Sequence, residues 1–408
     1  MAAAQKTQYD VAVSGGGMVG MTLGLGLAAC GLKAVVIDAQ KPKTQLEKTF
    51  DGRASAIAFA SYRMLDAIGF WKFVQRQAQP IQEIRVSDKG SFLFVHFGDE
   101  ESREGPMGYM LENRHIRKGL FDCAKKAKSL TLIAPDAVTG YSVEDGGVSV
   151  SLESGKTITA KLLVSAEGRN SGLRDNAGIA THEWSYPQAG VVATIEHQLP
   201  HQGIAHEKFF PEGPFAILPL TGNRSSLVWT TQAKFAGMIR EFPDDVFQQE
   251  IRQRVGDFLG AVTVTGPRWI YPLGFLMAER YTGDRLALIG DAAHGIHPIA
   301  GQGLNLGYRD AAALIEVLAG AARAGEDIGG PQVLERYQRW RRTDNVMLGA
   351  ITDGLNRLFS NDLPPIKLAR DAGLGLVNKS PEMKKFFVSH ARGTFGKLPV
   401  LLKGELPL

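Results

Sequence analysis

An uncharged, glycine-rich stretch near the start of the chain most constrains the fold. Residues Val11 to Leu32 carry no charge and include seven glycines, at positions 15, 16, 17, 20, 24, 26 and 31. The stretch has the roughly 20 residues that a transmembrane helix needs, but its glycine content makes it a poor candidate. A signal peptide is also disfavoured, because Asp10 abuts the apolar run and no short apolar core leads to a cleavage site. The stretch is better explained as the turn and helix of a βαβ unit.

The order of residues in this stretch is that of a dinucleotide-binding βαβ unit. YDVAVS is typical of a strand, MVGMTLGLGLAACG of the following helix, and KAVVID of a second strand that ends at Asp38. Gly15, Gly17 and Gly20 satisfy GxGxxG: they permit a tight turn, close approach of backbone to a pyrophosphate, and close helix packing. The helix start would face the phosphates, and Asp38 would accept a hydrogen bond from a ribose hydroxyl. This motif does not distinguish FAD from NAD(P).

A second glycine-rich segment lies far downstream, from Gly283 to Leu318. RLALIG is typical of a short buried strand, Asp291 follows it, and a loop rich in glycine and proline leads into a helix that begins near Gly303. This helix start would favour negative charge on a ligand by about 0.3–2 kcal/mol. Asp291 would accept a hydrogen bond from a polyol hydroxyl. Because the two segments lie far apart in the chain, the cofactor domain is expected to be discontinuous.

The segment GDAAHGIHPIAGQGLNLGYRDA resembles the second FAD motif of class A flavoprotein monooxygenases, the para-hydroxybenzoate hydroxylase type. Within that class it resembles the ubiquinone-biosynthesis hydroxylase family. Further resemblance lies in DGRASAIAFASYRMLDAIGFW, GYMLENRHIRKGL, YQRWRRTDN and TDGLNRLFSND, so it extends over essentially the whole chain. It implies an α/β fold, with a Rossmann-like, discontinuous FAD-binding domain, a second β-sheet substrate domain and a helical C-terminal tail.

The resemblance also implies which residues contact FAD. They are Gly15, Gly17, Met18, Val19, Gly20, Asp38, Arg53, Arg114, Asp291, Pro298, Gly301, Gln302, Gly303, Leu304 and Asn305. The class carries an Asp-Gly motif in mid-chain that is linked to FAD and NAD(P)H handling. Here Glu167-Gly168 takes its place, while Ser171 and Arg174 match. Since glutamate keeps the charge but is one methylene longer, this departure concerns the nicotinamide docking geometry rather than FAD binding.

The activity implied by the resemblance is hydroxylation of the aromatic ring of a prenylated phenol in ubiquinone biosynthesis. NAD(P)H or another donor would reduce FAD, O2 would add to give a C4a-hydroperoxide, and its terminal oxygen would pass to the ring. Two alternatives stay open. One is an FAD-dependent hydroxylase or dehydrogenase of a small soluble aromatic substrate, and the other is a non-catalytic FAD-binding subunit of a biosynthetic complex. No general base for the phenol is evident, so the catalytic residues are left unassigned.

Other kinds of catalytic site are not indicated by the sequence. His294 and His297 have no partner cluster with metal-ligand spacing, so a packing or hydrogen-bonding role is favoured and no metal is expected. The chain has no GxSxG nucleophile elbow and no G-x-x-x-x-G-K-[ST] loop. Cys30 and Cys123 are the only cysteines and form no CxxC, which favours a reducing compartment.

The distribution of charged residues along the chain bears on what the protein binds and where it is located. A formal net charge of +4 is too small to indicate nucleic-acid binding, yet residues 361–408 carry eight positive and four negative side chains, the same excess. A solvated helical tail explains this, and so does a basic, apolar surface beside an anionic membrane. We expect a cytoplasmic protein that lies peripherally at the inner membrane face. We also expect it to contact other ubiquinone-biosynthesis proteins.

The expected domain plan follows from the order of the motifs. Residues 1–81, 105–180 and 270–358 would form the FAD-binding domain, residues 82–104 and 181–269 the substrate domain, and residues 359–408 the tail. Gln82–Asp99 and Gly190–Thr231 alternate between apolar and polar residues, as strands do. Pro214–Leu220 is the expected wall of the ring pocket, and Pro331–Leu358 is expected to form one long helix.

Overall fold

The computed structural model describes residues 8–88, 94–98, 105–297, 301–359 and 380–407. The helices are α1 (Met18–Ala29), α2 (Pro42–Gln45), α3 (Phe59–Ala67), α4 (Asn113–Ala124), α5 (Gly172–Asn176), α6 (Ala233–Arg240), α7 (Asp244–Val255), α8 (Gln302–Arg323), α9 (Pro331–Phe359) and α10 (Pro381–Ala391). The strands are β1 (Tyr9–Ser14), β2 (Ala34–Ile37), β3 (Ala54–Ala58), β4 (Gln79–Ile81), β5 (Glu83–Asp88), β6 (Phe94–Phe97), β7 (Gly108–Glu112), β8 (Leu130–Ile133), β9 (Val138–Glu144), β10 (Gly147–Leu152), β11 (Thr157–Ser165), β12 (Thr181–His197), β13 (Ile204–Phe210), β14 (Gly213–Leu220), β15 (Arg224–Gln232), β16 (Val262–Ala278), β17 (Thr282–Gly283), β18 (Leu286–Leu288) and β19 (His294–Gly295).

The first sheet is largely parallel and holds both glycine-rich segments. Its strands run in the order β17, β18, β11, β1, β2 and β8, with β10 and β9 attached beside β11. Val11, Ala12 and Val13 are successive residues of β1 and all are fully buried, so both faces of the sheet are covered. Because β18, β11, β1 and β2 are parallel, their carboxyl ends meet at one edge.

The second sheet is mostly antiparallel, in the order β19, β16, β12, β15, β14, β13, β5 and β6. One of its faces packs against α6 and α7 through a cluster that includes Ile195, Phe215, Trp229, Phe247 and Ile251. Because side chains alternate along a strand, the intervening residues face the other way. A small third sheet, in the order β3, β7 and β4, faces this second side through an apolar cluster.

This architecture confirms the predicted fold class, an α/β FAD-domain sheet with a second β-sheet layer. The expected strands in Gln82–Asp99 are β5 and β6, and the expected long helix is α9. Strand β16 runs through the expected domain boundary at residues 269 and 270 without interruption. A strand that passes through this boundary does not mark it as a break between two units, so the expected division into FAD-binding and substrate domains stays a prediction.

The described part of the C-terminal tail is built into the body of the protein. Leu401 and Leu402 are fully buried in the main core, and the Arg392 guanidinium donates to the Gly105 carbonyl at 2.8 Å. Residues 360–379 of the expected tail lie outside the described residues. Among the residues that the structure describes, no helix is both long and apolar enough to cross a bilayer.

Candidate cofactor site

The predicted phosphate loop and its acid lie at the carboxyl edge of the first sheet. Helix α1 starts after Gly17, with no side-chain cap and no acidic residue in its first turn, so its first N–H groups are left for a ligand. Asp38 follows β2 and accepts hydrogen bonds from the N–H groups of Gly16 at 2.6 Å and Gln40 at 2.7 Å. Burial raises the pKa of Asp38, and these hydrogen bonds oppose the rise. The carboxylate thus fixes the loop and keeps acceptor capacity for a hydroxyl.

The three fingerprint glycines meet different surroundings. A Cβ at Gly15, where φ is +103°, would lie 2.3 Å from the Ala166 carbonyl oxygen. A Cβ at Gly20 would lie 2.0 Å from the Gly15 carbonyl oxygen. A Cβ at Gly17 would meet no described atom within 4 Å. Gly15 and Gly20 are therefore required by the fold, whereas the space over Gly17 is left for a ligand.

Glu167 joins the ends of two strands below this loop. Its carboxylate accepts from the hydroxyls of Ser14 at 2.7 Å and Ser171 at 2.8 Å, and from the Leu173 N–H at 3.1 Å. Ser171 also caps α5, and the buried Arg174 donates to the Arg169 carbonyl at 2.8 Å. Gly168 has a positive φ of +82° with open space beside it. The Glu-Gly motif thus braces the loop; its contact with nicotinamide stays a prediction.

The second segment places its helix start beside the first. Gly307 of α8 packs against α1 so closely that a Cβ there would lie 2.6 Å from a methyl carbon of Val19. Helix α8 begins after Gly301, where φ is +61°, and its first turn has no acidic residue and no side-chain cap. Gln302, Gly303 and Leu304 form that turn. The two helix N-termini therefore lie at the same edge of the sheet.

Asn305 acts on the backbone in this structure. Its amide oxygen accepts from the Ala58 N–H at 2.9 Å, and its amide nitrogen donates to the carbonyls of Ala56 at 2.9 Å and Gly301 at 3.2 Å. The side chain is buried and ties β3 to the start of α8. Any contact of Asn305 with FAD stays a prediction, as does that of Pro298, which lies outside the described residues.

Asp291 and Arg53 face each other across the edge. Asp291 is exposed in the turn after β18. Burial lowers the pKa of Arg53, but the hydrogen bonds and charge of Asp51 raise it above its ordinary value, and the charge of Asp291 contributes least to this rise. The Arg53 guanidinium binds Asp51 at 2.9 Å and stacks on the Tyr271 ring of the second sheet at 4.5 Å. Half of the Arg53 side chain is exposed, so part of its donor set is free for a ligand.

Asp51 organises this part of the edge, and no local pattern assigned it a role in the site. Besides Arg53, it accepts from Asn113 at 2.9 Å, from Tyr271 at 3.2 Å and from Arg117. Burial alone would raise the pKa of Asp51, but the hydrogen bonds and charge of Arg53 hold it well below its ordinary value. Asp51 is therefore ionised at neutral pH, and its carboxylate positions Arg53.

Arg114 lies on the side of the site that faces the second sheet. Its guanidinium binds Glu112 at 3.1 Å, and Glu112 also binds Arg224 of β15 at 3.4 Å. Hydrogen bonding to His115, together with these two arginines, lowers the pKa of Glu112 to about 2. The buried Nε of Arg114 has no hydrogen-bond partner among the described residues. The structure thus does not bring Arg114 into the Asp51 cluster.

The two histidines of the second segment differ. His294 pairs with Asp310, which also binds Arg341 at 2.8 Å, Asn345 at 3.1 Å and the Gly290 N–H at 3.0 Å, all buried. This buried network fixes the turn that carries Asp291, and sequence reasoning missed Asp310 and Arg341. His297 is fully buried and contacts the Tyr186 ring at 5.1 Å. Burial lowers the pKa of His297 to about 4, so it is neutral near pH 7.

These features fit FAD. The open helix starts at Gly17 and Gly301 and the free face of Gly17 suit a pyrophosphate and a ring that becomes anionic on reduction. Asp38 and Asp291 have acceptor capacity for sugar and polyol hydroxyls, and Arg53 has donors for an anion. No group of three histidine, cysteine, aspartate or glutamate side chains suited to a metal occurs in the described ranges.

Comparison with known proteins agrees with this geometry. Residues 8–345 match the FAD binding domain family. The chain is 47% identical over 401 residues to "Ubiquinone hydroxylase UbiL" of Rhodospirillum rubrum, covering 98% of this chain and 93% of that protein. It is 35% identical to the 3-demethoxyubiquinol 3-hydroxylase of Escherichia coli, covering 94% and 98% of the two chains.

Solved structures agree on the fold. The crystal structure of p-nitrophenol 4-monooxygenase from Pseudomonas putida superimposes with a TM-score of 0.78 at 18% identity, covering 97% of this chain and all of that one. The predicted family, enzyme class and FAD cofactor are thus confirmed. The chain belongs to the FAD-dependent monooxygenases of the FAD binding domain family, in the group that contains the ubiquinone-biosynthesis hydroxylases.

Proposed function

We propose that the protein hydroxylates the aromatic ring of a prenylated phenol in ubiquinone biosynthesis, with O2 as co-substrate and NAD(P)H as electron donor. The observation that carries this proposal is an apolar cluster, here called the apolar wall, between the second sheet and β3, β7 and α10. Its members are Ala54, Ala56, Ile81, Ile84, Phe97, Met107, Met110, Ala205, Leu218, Leu220, Val388 and Ala391. Ala56 lies 3.3 Å from the position of a Cβ on Gly301, so the wall reaches the start of α8.

The wall contains part of the expected ring pocket. In β14, Phe215 and Ile217 face α6 and α7, whereas Leu218 and Leu220 belong to the wall. We expect this apolar cluster to form one side of the space for a prenyl chain and an aromatic ring, and to keep water from the reacting atoms. Within Pro214–Leu220, we therefore propose only the residues on the wall side, such as Leu218 and Leu220, as part of the ring pocket.

Bound FAD would supply the reduction of O2 and the transfer of one oxygen atom to the ring. The protein's own part is to bind and orient. Asp38 and the α1 start would hold the adenosine and phosphate end, while Asp291, Arg53 and the α8 start would hold the flavin end. The names of the relatives from Rhodospirillum rubrum and Escherichia coli support a ubiquinone precursor as substrate.

The test is to supply the holoprotein with 2-farnesylphenol, isotopically labelled O2 and either NADH or NADPH. We expect one labelled oxygen atom in the product and substrate-dependent oxidation of the nucleotide without peroxide release. Nucleotide oxidation that yields only peroxide, or no reduction of the flavin by either nucleotide, would reject hydroxylation. Deleting the gene and identifying the quinone intermediate that accumulates would then identify the step.

We also propose that the surface around α10 contacts an anionic membrane. A prenyl chain gains about 0.8 kcal/mol for each CH2 in the bilayer, so the substrate is membrane-bound. Phe386 of α10 and Val346 and Met347 of α9 are exposed, and Lys385 beside them is exposed and basic. Met347 lines the same groove as His390, on which the Phe386 ring packs at 4.2 Å.

Vesicle sedimentation tests the membrane contact. Deleting the tail would remove core residues such as Leu401, so point variants are needed. We expect Phe386→Ser and Lys385→Glu to weaken binding to vesicles of phosphatidylcholine with phosphatidylglycerol, while the exposed Lys156→Glu does not. Equal binding of all three variants, or no binding of the wild type, would reject the contact.

A further inference from the structure

Strand β13 carries a carboxylate on the face of the second sheet that is turned toward the FAD layer. Its neighbours His206 and Lys208 lie on the opposite face: Lys208 donates to the carbonyl of Val255 at the end of α7 at 2.8 Å, and the His206 ring packs on Phe258 at 4.5 Å. Because side chains alternate along a strand, Glu207 between them points to the other face.

The register of the sheet shows what surrounds Glu207. It pairs with Ala216 on β14 and with Val86 on β5, both apolar. Ala205, two residues before it on the same face, and Leu218, two residues after Ala216, belong to the apolar wall. Trp269 and Tyr271 of β16 share this face, and Tyr271 contacts Asp51 and Arg53. Glu207 therefore lies on the same face of the second sheet as Tyr271, with β12, β15 and β14 between them, and beside the apolar wall that reaches Gly301.

The carboxylate has no hydrogen-bond or ion-pair partner within the part of the chain that the structure describes. The residue is partly accessible, and desolvation by its surroundings raises its pKa to about 7. A desolvated carboxylate without a partner is costly, so this one is suited to a ligand that brings a hydrogen-bond donor. Its half-ionised state near neutral pH matches what a general base requires.

The charged groups near Glu207 do not compete for this role. On its own strand and on β5, His206, Lys208, Arg85 and Glu83 interact with one another on the opposite face. Of the elements packed against the wall, β7 ends in Glu112, which pairs with Arg114 and Arg224. On α10, the His390 ring lies against Phe386 and Phe395.

We propose that Glu207 accepts the hydroxyl proton of the phenol substrate while the ring is hydroxylated. Glu207 has this role only if the substrate is a phenol, as proposed above. The O–H bond breaks, the proton forms a carboxylic acid on Glu207, and the electron pair stays on the phenol oxygen. That oxygen donates electron density to the ring as the ring carbon bonds to the incoming oxygen. That carbon then loses its hydrogen as a proton to solvent, which restores the aromatic ring, and Glu207 returns its own proton to the phenol oxygen and is again a carboxylate.

The experiment compares wild type, Glu207→Gln, Glu207→Asp and, as a matched control, Glu196→Gln, an exposed glutamate of the same sheet. The first readout is the rate of hydroxylation of 2-farnesylphenol by pre-reduced holoenzyme mixed with O2, measured against pH. We expect the wild-type rate to fall below about pH 7, and Glu207→Gln to be slower by about 100-fold or more and to lose this acid limb. Glu207→Asp should keep an acid limb at a reduced rate, and Glu196→Gln should match the wild type.

The second readout needs no turnover. The Kd of 2-farnesylphenol and that of its methyl ether are compared by tryptophan fluorescence in the oxidised holoenzyme. Above pH 7 we expect the wild type to prefer the phenol by about 10-fold or more, and Glu207→Gln to lose this preference with its affinity for the ether intact. An acid limb and a phenol preference that survive in Glu207→Gln would overturn the inference.

Two controls separate the outcomes. If the wild type hydroxylates no prenylated phenol, the proposed function fails, and the phenol preference in binding decides only whether Glu207 accepts a hydrogen bond from the phenol hydroxyl. Glu207→Gln could fail to fold or to retain FAD. In that case the Glu207→Asp rate profile and the pH dependence of the wild-type preference for the phenol over its methyl ether decide the inference. A wild-type preference that does not change between pH 6 and pH 8 would overturn it.

Discussion

The Glu167 carboxylate accepts a hydrogen bond of 2.7 Å from the Ser14 hydroxyl and so joins the carboxyl ends of β11 and β1. The phosphate loop begins at the next residue, Gly15, and the Ala166 N–H donates to the Ser14 carbonyl at 2.7 Å. Glu167 departs from the aspartate of the related monooxygenases, and its side chain spans this gap. The longer side chain thus serves the loop that is proposed to hold the pyrophosphate.

The contact between Ser14 and Glu167 predicts coupled effects on FAD affinity. We expect Ser14→Ala and Glu167→Asp each to raise the Kd for FAD by about three- to ten-fold, the value of one hydrogen bond. The double variant should be little worse than Glu167→Asp alone, because that change already removes the contact that Ser14→Ala removes. Fluorescence titration of the apoprotein with FAD measures this, with the exposed Glu144→Asp as control. Additive effects in the double variant would show that the two residues act separately.

Gly15 and Gly17 predict opposite outcomes for the same change to alanine. Gly15→Ala puts a Cβ 2.3 Å from a backbone oxygen at a positive φ, so we expect lower stability of the apoprotein. Gly17 has an extended backbone and open space, so Gly17→Ala should fold with unchanged thermal stability. Its FAD affinity should fall at least 10-fold, because the added methyl group lies where the pyrophosphate is expected. Normal FAD binding by Gly17→Ala would move the phosphates away from this loop.

Replacing the buried Arg341 is expected to lower the free energy of unfolding far more than replacing a surface arginine. Its guanidinium is fully buried on Asp310, and removal of one partner leaves a buried charge with fewer contacts. We expect Arg341→Met to lower the free energy of unfolding by about 3–5 kcal/mol. The exposed Arg339→Met, which removes an ion pair to Glu335, should cost less than about 1 kcal/mol. Urea denaturation of the apoprotein measures the free energy of unfolding of both variants. Equal losses in the two variants would contradict the prediction.

Glu207 predicts how stability depends on pH. Its pKa is raised from 4.5 to about 7 in the folded chain, so between these pH values the folded state binds more protons than the unfolded state. The free energy of unfolding therefore falls as the pH rises through this window. We expect Glu207→Gln to equal the wild type at pH 5 and to be more stable at pH 8 by on the order of 1–2 kcal/mol, since partial exposure reduces the full effect. Melting curves at the two pH values test this, and a variant less stable at pH 8 would contradict it.

Local patterns were enough to predict the first βαβ unit and the second glycine-rich segment. Gly15, Asp38 and Asp291 were identified because turn geometry, a helix start and a terminal acid depend on residues close together in the chain. The long helix α9 and the strands of the second sheet were identified for the same reason, since periodicity is a local property.

Contacts between distant residues could not be predicted in this way. Asp51 gathers donors from α4 and from β16, and Asp310 gathers them from α9, so neither shows a local pattern. Asn305 matched the family as a flavin-loop residue, yet its amide is engaged by Ala56 and Ala58 of β3.

The sequence by itself determined the cofactor class and the α/β fold, because two glycine-rich turns and their acids are short-range features. Only the tertiary structure decided that the two turns share one edge, that the C-terminal residues pack in the core, and that Glu207 faces the cofactor side. These depend on strand order and register, which bring residues hundreds of positions apart into contact and which no local pattern encodes.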